Sequence, residues 1–211
     1  MHKTAAIRPV AIGVALLLAI ATLTVVRPSF AGSSGGSTGR THVASAQRAA
    51  STYADKLAQA RNATAKYATN LALAKHDGYM IITKDIAGMG YHFLNPNITS
   101  FDVRKPMILV YEHANNKWQL AALEWVFPSV PATPPLRDAT YGFFPAACHY
   151  KDGSFVPASA QSDCPAHAPG STATFNFWHP PLFTMHVWLW FHNPAGVYSG
   201  TNPLVAPYDT K

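Results

Sequence analysis

The sequence predicts an α+β domain, with one long N-terminal helix packed on a mainly antiparallel β-sheet or small barrel and a long Pro-rich loop. Three observations carry that prediction. Residues 43–76 are Ala-rich and contain no Pro or Gly. The chain then changes to short runs of alternating character, the period of a strand rather than a helix. Residues 128–183 are dominated by Pro, Gly, Ser and Ala. With 211 residues the chain can build one domain with a real core and is short for two.

The N-terminus comes first. His2, Lys3 and Arg8 precede an apolar run from Val10 to Val26, and Ser29-Phe30-Ala31 has a small-x-small pattern. This is the layout of a secretory signal peptide over 1–31, cleaved after Ala31. The alternative is an uncleaved anchor, although a run of about 17 residues sits at the lower limit for a span. After cleavage no stable membrane span is expected, and the protein is secreted or extracytoplasmic, in the periplasm or cell envelope. Taking Lys3, Arg8 and Arg27 from the 16 Lys and Arg leaves 13 against 10 acidic residues. The remaining basic residues are scattered and form no concentrated face, so no nucleic-acid partner is expected.

Residues 32–42 are Gly/Ser-rich and read as a flexible linker. The domain is expected to occupy 43–211. In the helix, Tyr53, Leu57, Ala60, Thr64, Tyr67, Leu71 and Ala74 recur at spacings of four and three, forming one core-facing stripe. Asp77-Gly78 supplies the stop, with glycine free to take the left-handed conformation past the last turn.

Short strands follow at Tyr79–Thr83 and from Gly90 onwards. Met107–Glu112 and Trp118–Phe127 read as a hairpin joined by 113–117. Residues 128–183 form a cover loop. Cys148 and Cys164 lie within it, in a compartment where disulfides persist. A bridge closes a loop of roughly 16 residues, worth about 3 kcal/mol on the chain-entropy model. A two-cysteine metal site or a catalytic thiol, supported by His149 and His167, is the minority alternative.

Met185 to His192 then alternates apolar residues with His186, Trp188, Trp190 and His192. A strand here has one hydrocarbon face and one face of N–H-bearing rings, which need partners or a metal when buried. It is the sequence's best pointer to a site. Glu112 and Glu124 are the only glutamates after the signal segment, and both sit in apolar runs. A lone buried carboxylate is too costly to be left unpaired. Hairpin geometry separates the two by roughly 15–20 Å at ~3.4 Å per residue, so they belong to different groups. The same arithmetic separates His186 from His192.

Several chemistries are excluded. No His-Glu-x-x-His helix or Cys-x-x-Cys pair occurs, and no Gly-x-Ser-x-Gly stands at a strand-to-helix turn that would expose its serine. Gly88-Met89-Gly90 has no phosphate-loop lysine and no following helix, and is read as allowing close backbone approach beside His92.

The run Ala63-Thr64-Ala65-Lys66-Tyr67, Asp77-Gly78-Tyr79, Met89-Gly90-Tyr91-His92-Phe93, Pro106 to Glu112, Leu123-Glu124-Trp125-Val126-Phe127-Pro128, His186-Val187-Trp188-Leu189-Trp190, Asn193-Pro194-Ala195-Gly196 and Asn202-Pro203 resembles a group of exported bacterial and fungal proteins. The likeness spans about 60–203. It implies that His92, Glu112, Glu124 and His186 are recurring elements, and it brings no reaction or substrate. Members often carry a cysteine soon after the second Asn-Pro, which this chain lacks.

The leading expectation is a protein binding one transition-metal ion (zinc, copper or iron). His92, Glu124 and His186 are the inner ligands, with His179 as a fourth. Trp188 and Trp190, with Tyr91, Glu112 and His192, form the expected ligand pocket. Two alternatives stay open. One is a metal-free barrel holding a small molecule against aromatic residues; the other is a structural envelope protein that meets a partner through its helix.

Overall fold

The structure is a computed structural model that describes residues 37–208. The signal peptide expected over 1–31 and the start of the linker lie outside the described residues. No helix among the described residues is long and apolar enough to cross a membrane.

The helix expected over 43–76 is not one element. α1 (Ser37–Thr64) begins inside the expected linker and stops at Thr64; a 3₁₀ turn follows over Ala65–Tyr67, and α2 covers Leu71–His76. The break has local causes. The Thr64 hydroxyl donates back to the Ala60 carbonyl at 2.8 Å, a bond that bends helices. Asn70 starts a new helix by accepting the Leu73 N–H at 3.0 Å. Only the C-terminal half of α1 reaches the core, and there Tyr53 and Leu57 pack half-buried against it. Ala60 and Thr64 are buried, whereas Val43 is 66% exposed. The long packed helix is therefore corrected to the last turns of α1 plus α2, which buries Leu71 and Ala74. Gly78 ends α2 at φ +100°, as the sequence required.

The sheet is antiparallel and curls into a half-barrel. Its strands are β1 (Met80–Ile86), β2 (Gly90–Leu94), β3 (Ile108–Ala114), β4 (Lys117–Phe127), β5 (Gly142–Phe144) and β9 (Leu182–Val187), in the order β1-β2-β3-β4-β9-β5. The β3–β4 hairpin is tighter than expected. Its strands run to Ala114 and Lys117, and Asn115 and Asn116 turn the chain with φ of 52° and 58°. Two central residues at positive φ match the strand twist, and asparagine tolerates that conformation.

The stretch expected to be a loop folds into a second sheet. β6 (Ala147–Tyr150) lies between β7 (Phe155–Pro157) and β8 (Phe175–His179). The Cys148–Cys164 disulfide staples it. The two faces of the large sheet have different roles. Phe93, Leu109, Leu123, Trp125, Met185 and Val187 belong to the main core. The Tyr111 hydroxyl donates to the Tyr67 carbonyl at 2.8 Å, tying β3 to the helical segment. The alternate residues of β2, β4 and β9 line a cavity.

Candidate functional site

Alternation along three strands builds the site. His92 and Leu94 of β2, Glu124 and Val126 of β4, and Leu182, Thr184 and His186 of β9 face one cavity of about 440 Å³. Register places Glu124 directly opposite His186. His92 pairs with Val110 of the intervening β3, so it and Glu124 stand two strands apart, roughly 10 Å between backbones in a flat sheet. The curl of the half-barrel brings their side chains together on the concave face. His92 Nε2 lies 3.8 Å from Glu124 Oε2, and the His92 and His186 rings are 6.1 Å apart. Glu112 belongs to another row, opposite Gln119, as the hairpin arithmetic required.

All three ionisable side chains are buried, at 4% exposure each. Burial pushes His92 down to about 4 and His186 down to about 3, the latter also opposed by its neighbour His92. A contact to the Gly90 backbone offsets part of the His92 effect. Glu124 is pushed up to about 7 by burial, partly relieved by a hydrogen bond from Thr184. Near pH 6 His92 is therefore neutral and Glu124 mostly protonated, and 3.8 Å is too long for a hydrogen bond. The contact is not an ion pair. His92 is positioned from β1, where Thr83 Oγ1 accepts the His92 backbone N–H at 3.2 Å and lies 2.9 Å from Nδ1. Neither ring nitrogen of His186 has a hydrogen-bond partner among the described residues.

Other expected site residues lie elsewhere. His179 lines the same cavity from β8, where its ring packs 5.1 Å from His149. The anticipated His/Trp face does not extend to 192. β9 ends at Val187, after which the Trp188 N–H donates to Val197 and the Trp190 N–H to Ala121. Leaving the ladder destroys the period of two. Trp188 packs on His186 at 4.8 Å and donates its indole N–H to Ser199. Trp190 donates to Thr64 Oγ1 under the Arg61 guanidinium, and His192 is exposed. Tyr91 packs edge-on against Trp118, and Glu112 lies against Gly90. None of these five lines the cavity, whose aromatic walls come from Tyr141, Phe143, Phe144, Phe177 and Tyr198.

Sequence reading missed Thr83, Thr184 and His149 as site residues. Thr83 had one signal, a polar residue closing an apolar run; His149 was noticed only as a neighbour of Cys148.

Among the described residues, no group of three or more His, Cys, Asp or Glu is placed so that it could hold a metal ion. Two imidazoles and a carboxylate are nevertheless a donor set suited to zinc, copper or iron. Comparison with protein-family models, with curated proteins and with solved structures finds no match.

Proposed function

We propose that this is an extracytoplasmic protein that binds one transition-metal ion (zinc, copper or iron) through His92, Glu124 and His186. The ion would sit at the polar floor of an otherwise apolar cavity. One observation carries the reading: three solvent-excluded ionisable side chains from three strands meet on one cavity, and His186 has no hydrogen-bond partner among the described residues. A polar core that serves only packing satisfies its buried groups. Here a cation supplies what is missing. The imidazoles are held neutral, the form that binds metals, and a bound cation displaces the Glu124 proton. Small side-chain rotations draw the donors to the ~2.0–2.2 Å of a bound ion. Thr83 orients the His92 ring, as hydrogen-bonded neighbours of metal ligands do.

The test is metal analysis and calorimetric titration of the purified protein. One equivalent of zinc, copper or iron is expected, lost in His92→Ala, His186→Ala and Glu124→Gln. Thr83→Val should weaken binding by roughly 10–100-fold. A stable protein that takes up none of the three ions, and whose unfolding they do not shift, overturns the proposal. The disulfide is compatible with an oxidising compartment.

The size of the cavity favours a second reading, a metal-free carrier of a small molecule, since about 440 Å³ falls within the range of small-molecule sites. Small-molecule binding that survives complete metal removal, with no metal uptake, selects this reading.

A further inference from the structure

We infer that the cavity receives a neutral, mainly aromatic small molecule carrying a hydroxyl or N–H donor, which a second histidine pair, His149 and His179, recognises. The inference concerns the cavity's other wall and does not require the metal. His149 lies on β6 opposite Phe177 of β8, and His179 lies on β8 opposite Ala147. Both line the space that His92, Glu124 and His186 also face. The two walls share an anchor in β1: the Ile82 carbonyl binds His149, and Thr83 binds His92.

The hydrogen bonds assign the protons. His149 Nδ1 lies 2.8 Å from the Ile82 carbonyl oxygen, and His179 Nδ1 lies 2.7 Å from that of Pro180. A carbonyl only accepts, so each Nδ1 carries the hydrogen, and each neutral ring keeps its lone pair at Nε2. His179 Nε2 is buried and has no hydrogen-bond partner among the described residues. His149 is 1% exposed, and burial pushes it down to about 4, so it stays an acceptor at neutral pH. The rings are held in place. His149 stacks on Phe177 at 4.7 Å with planes 6° apart, and His179 packs on Phe144 at 4.9 Å.

Two fixed acceptors on this wall set what the ligand must donate; the buried Tyr141 hydroxyl and the neutral His186 ring, both without a hydrogen-bond partner among the described residues, lie on the same cavity. An anion would meet lone pairs, and a charged ligand would lose its hydration against apolar walls. A neutral donor satisfies an otherwise orphaned acceptor, and Tyr141, Phe143, Phe144 and Phe177 offer faces and edges to an aromatic ring. Alcohols, phenols and aromatic amides share this chemistry. Leaving a buried acceptor unpaired is costly, so removing the donor should weaken binding by about 5- to 150-fold.

The probes are 2-naphthol and 2-methylnaphthalene, which match in shape and differ by the hydroxyl. Each is titrated into the full chain, both metal-stripped and metal-loaded, by calorimetry and ligand-observed NMR. 2-Naphthol should bind one per chain and at least about fivefold more tightly than 2-methylnaphthalene, the reverse of their order of hydrophobicity. His179→Phe, at a half-buried position, should erase the preference and retain 2-methylnaphthalene binding. His149→Phe should do the same if it folds. The wild-type comparison decides without either variant. Equal affinities, binding of neither probe, or a second zinc equivalent that disappears in His179→Phe each overturns the inference. Failure of metal uptake with the naphthol preference intact removes the metal proposal alone.

Discussion

Gly90 shows how one residue can set the geometry of the site. It lies two positions before His92 at φ +96°, and a Cβ there would fall 2.5 Å from the Tyr111 carbonyl oxygen and 2.7 Å from Glu112 Oε1. Neither neighbour can give way easily, because one is strand backbone and the other is 1% exposed. Gly90→Ala should therefore cost about 2 kcal/mol or more, from strain and overlap together. Urea unfolding measures it, and a variant as stable as wild type would contradict the reading. This residue was legible, since the Gly-Met-Gly turn implied close backbone approach beside His92. The proton positions on His149 and His179 were not, because they depend on carbonyls at Ile82 and Pro180 that only the folded chain brings within reach.

Among elements, the contrast between β9 and the residues after it is the most instructive. The alternation from Met185 to His192 promises one strand with a face of rings, yet pairing with β4 ends at Leu123–Val187. Periodicity records which side chains could share a face; it does not record where the ladder stops. Helix propensity over 43–76 had the same blind spot, because hydrogen bonds at Thr64 and Asn70 divide an otherwise continuous helical composition. The Pro-rich stretch misled in the opposite direction. Its strands, three to five residues long, hold together through pairing in the second sheet. The disulfide closes 16 residues across that sheet. Replacing both cysteines by serine should destabilise the protein by about 3 kcal/mol on the chain-entropy model. Chemical denaturation of oxidised protein and the double variant checks this, and equal midpoints would show that the small sheet does not need its staple.

At the scale of the molecule, the cavity concentrates groups whose charged forms burial disfavours. His92, His149 and His186 are all pushed down, to about 4, 4 and 3, while Glu124 is pushed up to about 7. The signs differ. Below the ordinary histidine value of 6.5 the unfolded chain binds protons that the folded histidines refuse, so stability falls as pH drops towards 4. Glu124 works the other way, because the folded state holds its proton and its contribution is lost as pH rises from 4.5 through about 7. Three histidines outweigh one glutamate between pH 4.5 and 6.5, and above that range Glu124 alone still declines. Metal-free protein should therefore be most stable near pH 6.5, with an acid limb of several kcal/mol at roughly 1.4 kcal/mol per unit shift. Urea midpoints measured from pH 4 to 8 test this, and a midpoint independent of pH below 6.5 would contradict the burial of these rings. Bound metal should abolish the decline above pH 6.5, since coordination favours the ionised Glu124.

The sequence by itself determined the α+β class, the β3–β4 hairpin, the cysteine pair and the choice of His92, Glu124 and His186 as candidates. All of these follow from local periodicity, turn chemistry or the cost of burying a charge. Tertiary structure alone decided that these three meet, that His179 partners His149, and that Trp188 and Trp190 stay out of the cavity. The reason is physical. Alternation assigns a side chain to a face, but the curl of the sheet, the residue at which pairing ends and the strand that packs opposite arise only when distant segments share one core.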